Sequence, residues 1–279
     1  MFEIRKMKAN DFSFAVRIAN TMNWNLTEED FKFMVKIEPE GCFVLFQDQE
    51  RLGMATNISF GKVGWFGNLV VNEERRRKGA GKLLLKHSIN YLKKKSVSTI
   101  GLYAYPHLIK FYQSFGFKSD IEFLVLKGKA ALRSNQGTQK KADKLDIPQI
   151  LNFDYQCFGV DRKKILEPIL LGKNNLCFIS TPNNDFTGYI MVKVQGKTAE
   201  VGPLLCCANR SKEAVMLLKK VLANLAGLEV FMYIPKKDTA LLEVLYKAGL
   251  KEDFRVVRMF LGAPISSNCI YSAESLERG

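Results

Sequence analysis

Residues 83–86 read Leu-Leu-Leu-Lys, and 133 positions later residues 216–219 read Met-Leu-Leu-Lys. The same offset carries Gly116, Phe117 and Lys118 onto Gly249, Leu250 and Lys251, and Asp120 onto Asp253. No net insertion separates these anchors, although the strand signal between them (Leu102-Tyr103 against Met232-Tyr233) needs a local shift of about three positions. A chain that repeats at one offset is built from two copies of one unit. Its 279 residues suit two domains at about 150 residues each. The division expected is a first domain over 1–127, a polar linker over 128–144 and a second copy over 145–279.

Composition narrows the class. Hydrophobic residues make up 47% and charged residues 25% of the chain, which excludes wholesale disorder, a collagen-like repeat and a long coiled coil. No stretch approaches about eighteen uninterrupted apolar residues, so no membrane-spanning helix is expected. The opening Met1-Phe2-Glu3-Ile4-Arg5-Lys6 lacks the apolar run of a secretory signal, and a cytoplasmic location is expected. The six cysteines (Cys42, Cys157, Cys177, Cys206, Cys207, Cys269) show no CxxC and no metal-type spacing. They read as small apolar side chains in a reducing compartment. With only His87 and His107 available, no metal site is expected.

The formal net charge of +14 is uneven. Residues 1–127 carry 20 basic and 13 acidic side chains, 128–144 carry 5 and 1, and 145–279 carry 17 and 14. Nine basic residues and no acidic one lie between Arg75 and Lys95. Such a run fits a solvated helix face, a nucleic-acid surface, or a polyanion site at a helix start, where backbone N–H groups add to the side-chain charge.

The first half alternates strand and helix signals. Strands are predicted over 2–7, 42–47, 52–60, 63–71, 98–103 and 117–127, from apolar runs parted by polar turns. Helices are predicted over 10–21, from Thr27 onward, over 79–94 with Leu83 and Leu84 on the apolar face, and over 107–114. The order is β α α β β β α β α β.

One stretch carries chemistry: Leu69-Val70-Val71-Asn72-Glu73-Glu74-Arg75-Arg76-Arg77-Lys78-Gly79-Ala80-Gly81-Lys82. It joins a buried strand, a charged turn, Arg-x-x-Gly-x-Gly and a helix. Glycines there let backbone approach a ligand closely and aim several N–H groups at one point, which a pyrophosphate fits by size and charge. Further on, Phe111-Tyr112-Gln113-Ser114-Phe115-Gly116-Phe117 sets a tyrosine four residues before Gly-Phe.

These two segments, at this separation and in this element order, resemble the signatures of the GNAT superfamily of acetyl-coenzyme A-dependent N-acetyltransferases. The resemblance implies an α/β (α+β) fold of two tandem GNAT-like domains. Each would have a mixed, largely antiparallel sheet flanked by helices, with the fourth and fifth strands splayed. It implies that Leu69, Val70 and Val71 bond the pantetheine of acetyl-coenzyme A, and that Arg76 and the segment Arg77, Lys78, Gly79, Ala80, Gly81 and Lys82 hold its pyrophosphate. Tyr112 matches the family's proton-donating tyrosine. Where the family often has asparagine seven residues before it, this chain has Tyr105. The acceptor would be a small-molecule or peptide amine, attacking directly in a ternary complex. No base is assigned by sequence. Glu28, Glu29 and Asp30 are acidic candidates near the acceptor entrance, Trp24 is a candidate lining residue, and His107 a weaker base. A monomer or homodimer without metal is expected. The rival reading is a GNAT-fold acyl-coenzyme A sensor or a nucleic-acid binder using residues 75–95.

The same offset tests the second copy. Arg76 maps to Asn209, Gly79 to Lys212, Gly81 to Ala214 and Tyr112 to Leu245, leaving only Arg210 opposite Arg77. The second half is therefore expected to keep the fold and lose the coenzyme. Asp161-Arg162, Gly202-Pro203 and Arg258-Met259 are the polar segments it could offer to an acceptor cleft.

Overall fold

Both halves of the chain fold with one element order. The computed structural model describes residues 1–76, 78–131, 139–265 and 269–279. The first half runs β1 (Phe2–Lys6), α1 (Phe12–Asn20), α2 (Glu28–Ile37), β2 (Cys42–Gln47), β3 (Glu50–Phe60), β4 (Val63–Val71), α3 (Ala80–Lys94), β5 (Thr99–Ala104), α4 (Ile109–Gln113) and β6 (Lys118–Lys129). The second repeats it: β7 (Lys140–Lys141), α5 (Ile147–Phe158), α6 (Lys163–Leu170), β8 (Leu176–Ser180), β9 (Gly188–Gln195), β10 (Thr198–Cys207), α7 (Ser211–Ala223), β11 (Glu229–Pro235), α8 (Thr239–Lys247) and β12 (Lys251–Leu261). A last strand, β13 (Cys269–Ser272), has no counterpart in the first half. Gly116 and Gly249, matched by the offset, sit before β6 and β12 with φ of +90° and +91°. Only glycine adopts that backbone without strain, so the shared residue marks a shared turn.

Contacts divide the chain into two compact units. The first takes Met1–Leu102 with Leu261–Ala263 and Arg278. The second takes Tyr103–Phe260, Pro264–Glu277 and Gly279. These units divide the chain by packing, whereas 1–127 and 145–279 divide it by repetition.

In the first unit the strands run β1-β2-β3-β4-β5, antiparallel except for the parallel β4–β5 pair. Helices α1 and α2 cover it through Phe12, Ala15, Ile18, Ala19, Phe31 and Met34, at helical spacing, against Cys42, Val44, Met54 and Val70. Helix α3 turns Leu84, Leu85, Ile89 and Leu92 inward. Lys82, Lys86, Lys93 and Lys94 face solvent, which accounts for much of the basic run. Leu83 is also exposed, contrary to its expected place on the apolar face.

In the second unit the order is β12-β6-β11-β10-β9-β8-β7. Strand β6, which closes the first copy in sequence, lies between two strands of the second, antiparallel to both. Val125 pairs with Tyr233 on one edge and with Phe254 on the other. The parallel β10–β11 pair repeats β4–β5. Strand β7 is the degraded first strand of the second copy, pairing Lys140 with Ile179.

Two features correct the sequence reading. Cys157 and Cys269, 112 residues apart, form a disulfide with Cα atoms 5.9 Å apart, so they are not the free thiols expected of a reducing compartment. Arg162 is 1% exposed and therefore closed to any acceptor. Its Nε and Nη2 donate to Asp154 at 3.0 and 2.6 Å, its Nη1 to the main-chain oxygen of Gly279 at 2.9 Å, and its guanidinium lies 3.6 Å from the centre of the Phe158 ring. Tyr189 also donates to Asp154, at 2.6 Å. Asp154→Ala leaves a buried guanidinium without its carboxylate and is expected to cost about 3–5 kcal/mol. Urea unfolding checks this, and a loss below about 1 kcal/mol would show that the remaining contacts of the guanidinium suffice.

Candidate active site

Strand β4 carries the candidate site because it leaves β5 early. The parallel ladder holds Val63 to Thr99, Gly64 to Ile100 and Trp65 to Gly101, and no later β4–β5 pair forms among the described residues. Trp65 is fully buried, and a Cβ on Gly101 would stand 2.7 Å from its ring, so the pair is packed tightly where it ends. Beyond it, Met54 pairs with Val70 but Thr56 pairs with Gly67. Asn68 and Leu69 thus oppose one residue of β3, a bulge with Asn68 at φ +50° and its amide on Thr56 at 3.1 Å. The splay expected of this pair is present, and the main chain of Leu69, Val70 and Val71 lies on the part of β4 that has left β5. The bulge itself was not anticipated, although Gly67-Asn68 inside a strand was a signal for it.

The turn after β4 is fastened to the sheet. Asn72 donates its N–H to the Leu52 carbonyl at 2.7 Å and its side-chain amide to Arg51 at 3.2 Å. Arg76 Nε donates to the Val71 carbonyl at 3.1 Å, so this arginine braces the loop. Its Nη2 lies 3.5 Å from Met22 Sδ, which brings the loop carrying Trp24 against the turn after β4. Arg77 lies outside the described residues. Gly79 caps α3 at φ +87°, followed by Ala80, Gly81 and Lys82 in the first turn. N–H groups of a first turn have no acceptor within the helix. Lys78 and Lys82 are exposed beside them.

The glycines test whether a pyrophosphate fits. A Cβ on Gly81 would meet nothing within 4 Å, and the same holds for Gly79. Gly79 has a backbone reason to be glycine, its left-handed φ. Gly81 has an ordinary helical backbone and no crowding neighbour, so the protein's own packing does not require glycine there. A glycine there leaves the backbone open to close approach by a ligand, so a pyrophosphate fits.

Between α1 and α2, Asn23 and Asn25 take φ of +58° and +54° around a half-buried Trp24 that packs on the core. Thr27 donates its N–H and hydroxyl to Asp30, at 2.8 and 2.7 Å, which makes Asp30 a helix cap. Glu28 accepts from Ser13 at 2.9 Å, and Glu29 pairs with Lys32 at 2.6 Å on the surface. All three carboxylates have local partners.

Tyr112 belongs to the second unit, on α4, 6% exposed and edge-on to Phe111 and Phe117. Burial pushes its hydroxyl far above the usual tyrosine value, so it keeps its proton throughout the neutral range. His107 is exposed and stacked on Tyr105, with ring centres 5.7 Å apart.

In the second copy the matched positions serve the core. Ala214 and Leu245 are fully buried among α7, α8 and β11, and Arg210 pairs with Glu213 at 3.4 Å. Tyr246, one position on from Leu245, points outward. Among the described residues no group of three His, Cys, Asp or Glu side chains could hold a metal, and no helix is long and apolar enough to cross a membrane.

A model of the acetyltransferase (GNAT) family matches residues 9–117, and a model of an acetyltransferase (GNAT) domain matches 150–272. An uncharacterised N-acetyltransferase, ycf52 of Gracilaria tenuistipitata var. liui, is 31% identical over 96 residues, 31% of this chain and 52% of that protein. The chain therefore spans about half the length of this curated relative. A proposed acetyltransferase from Pyrococcus horikoshii superposes with a TM-score of 0.84 at 21% identity, covering 100% of this chain and 96% of the other. A tandem GNAT protein from the clavulanic acid biosynthesis pathway superposes at 0.63 with 12% identity, covering 96% and 100%. At such identities these structures speak for the fold alone. With the same element order in both halves and a GNAT match in each, the chain belongs to the GNAT acetyltransferase family in its tandem form.

Proposed function

We propose that this chain is an acetyl-coenzyme A-dependent N-acetyltransferase acting on a primary amine, with its catalytic site in the first copy, 1–127. The copy at 145–279, joined through 128–144, is non-catalytic. The observation that carries the reading is Gly81, a first-turn glycine that the protein's own packing does not require and that leaves the backbone open to a ligand. The backbone of Leu69, Val70 and Val71 would hold the pantetheine, and the amides from Arg77 to Lys82 the pyrophosphate. Arg76 acts by bracing the loop. Acetyl-coenzyme A supplies an acyl group activated as a thioester.

A lysine-like amine of pKa about 10.4 is neutral in roughly one molecule in 2,500 at pH 7. The reaction therefore gains from removal of that proton and from a proton donor to the departing thiolate. Tyr112, protonated at neutral pH as tyrosines are, is the donor in this reading. A covalent acetyl-cysteine is disfavoured. Burial pushes the Cys42 and Cys206 thiols up to about 12 and also raises those of Cys177 and the partly exposed Cys207, while Cys157 and Cys269 are bonded to each other. Direct attack of the amine fits these residues better. Trp24, Glu28 and Glu29 remain candidate acceptor contacts, reached through the Met22 contact with Arg76.

The test is coenzyme A release with a panel of primary amines. Tyr112→Phe is expected to lower kcat by about 10²–10⁴-fold with unchanged acetyl-coenzyme A affinity. A kcat within about threefold of the parent would remove the tyrosine from the mechanism.

A further inference from the structure

The gap that opens between β4 and β5 has a counterpart in the second copy, and there the chain fills it with its own strand. Strands β10 and β11 pair in parallel from Thr198–Glu229 to Val201–Met232 and then separate. At the separation Gly202 and Pro203 oppose one residue of β9, repeating the bulge of β4. Beyond the bulge, with β9 on the other edge, β13 runs antiparallel along β10. Leu204 pairs with Ser272, Leu205 with Tyr271, Cys206 with Ile270 and Cys207 with Cys269.

The following residues reach the other wall. Ala273 donates its N–H to the Tyr233 carbonyl of β11 at 3.2 Å. Leu204 donates its N–H to Ser272 Oγ at 2.8 Å, and Glu274, fully buried, pairs with Lys193 at 2.5 Å. A Cβ on Gly202 would stand 2.1 Å from the Ala273 carbonyl oxygen, so β10 has no side chain where the segment crosses. At its start this strand is bonded to α5 through Cys269 and Cys157.

We propose that Cys269–Ser272 is an internal ligand of the β10–β11 cleft, held by a latch that a dithiol can open: cleavage of Cys157–Cys269 releases β13 and exposes the edge of β10. Cys269 is a half-buried residue and Cys157 a buried one, so attack is written at Cys269. A thiolate of the dithiol attacks Cys269 Sγ, forming a mixed disulfide, and Cys157 leaves as a thiolate that takes up a proton. The second thiol of the reagent then displaces Cys269. The protein disulfide gains two electrons, and the reagent is oxidised to a cyclic disulfide. That β13 lies where the coenzyme arm would lie in the first copy rests on the function proposed above. The latch does not.

Hydrogen exchange on the full chain, disulfide intact and after dithiothreitol, tests the latch. Reduction is expected to speed exchange by about tenfold or more in 204–207 and in 269–272 together, with 217–222 of α7 unchanged. Cys269→Ser should reproduce this without reductant, and reoxidation of the parent should reverse it. Unchanged exchange in 204–207 would overturn the proposal, since other contacts would then hold the strand. Acceleration throughout 217–222 would also overturn it, since the disulfide would then staple the whole unit. Acetyl-coenzyme A binding is measured alongside, so that failure of the coenzyme reading is seen separately.

Discussion

Gly81→Glu is expected to stabilise the free protein and abolish its thermal response to acetyl-coenzyme A. The substitution replaces a helical glycine, worth about 0.8–1 kcal/mol in propensity. It also puts a carboxylate in the first turn of α3, worth about 0.3–1 kcal/mol at the positive end of the dipole. Nothing within 4 Å of the new Cβ opposes either gain. The same carboxylate would stand where the pyrophosphate must approach. In the parent protein, ligand at about a hundred times its Kd stabilises by roughly 2.7 kcal/mol, an upward shift of about 5–10 °C for a chain of this size. A variant that melts higher alone yet ignores acetyl-coenzyme A separates binding from folding in one experiment. If it still responds like the parent, the pyrophosphate lies elsewhere. Gly79→Glu is the less clean probe. Its φ of +87° makes any side chain cost about 1–2 kcal/mol before a ligand is considered.

Cutting the chain after Lys144 is expected to leave no cooperatively folded product, although the residues proposed for catalysis are all retained. Strand β6 would lose β11 on one edge and β12 on the other. Its buried residues Phe123, Leu124, Val125 and Leu126 would face solvent between two open edges. Supplying 145–279 as a separate polypeptide in the same cells should restore soluble protein. A soluble monomeric 1–144 fragment with a sharp melting transition would overturn this expectation.

Local structure was legible because local residues decide it. Strands β2 and β4 begin and end where the apolar runs over 42–47 and 63–71 do, and Thr27 opens α2 as its capping sequence predicts. The strand–turn–helix geometry around Gly79 and Gly81 was legible for the same reason, since its parts are contiguous. The partners of β6 were not. Its apolar run specifies a strand buried on its faces and says nothing about which strands flank it. The Cys157–Cys269 bond joins residues 112 apart with no spacing pattern, so only tertiary structure could disclose it. The base is of the same class: sequence position offers Glu28, Glu29 and Asp30, and their contacts with Ser13, Lys32 and Thr27 single none of them out. Leu83 erred by one step around α3, where periodicity alone sets a broad apolar face.

The placement of β6 also sets a schedule for biosynthesis. It is complete at Lys129, but its second neighbour ends only at Leu261. At ~5–20 residues per second, a ribosome needs roughly 7–26 s to make the intervening stretch. Until β11 is complete at Pro235 a nascent chain carries an apolar strand with no mate, and until β12 follows one edge of that strand stays open. Chaperone dependence should therefore track translation speed between these two points, and synonymous codons that slow the ribosome there should lower soluble yield without altering a single residue.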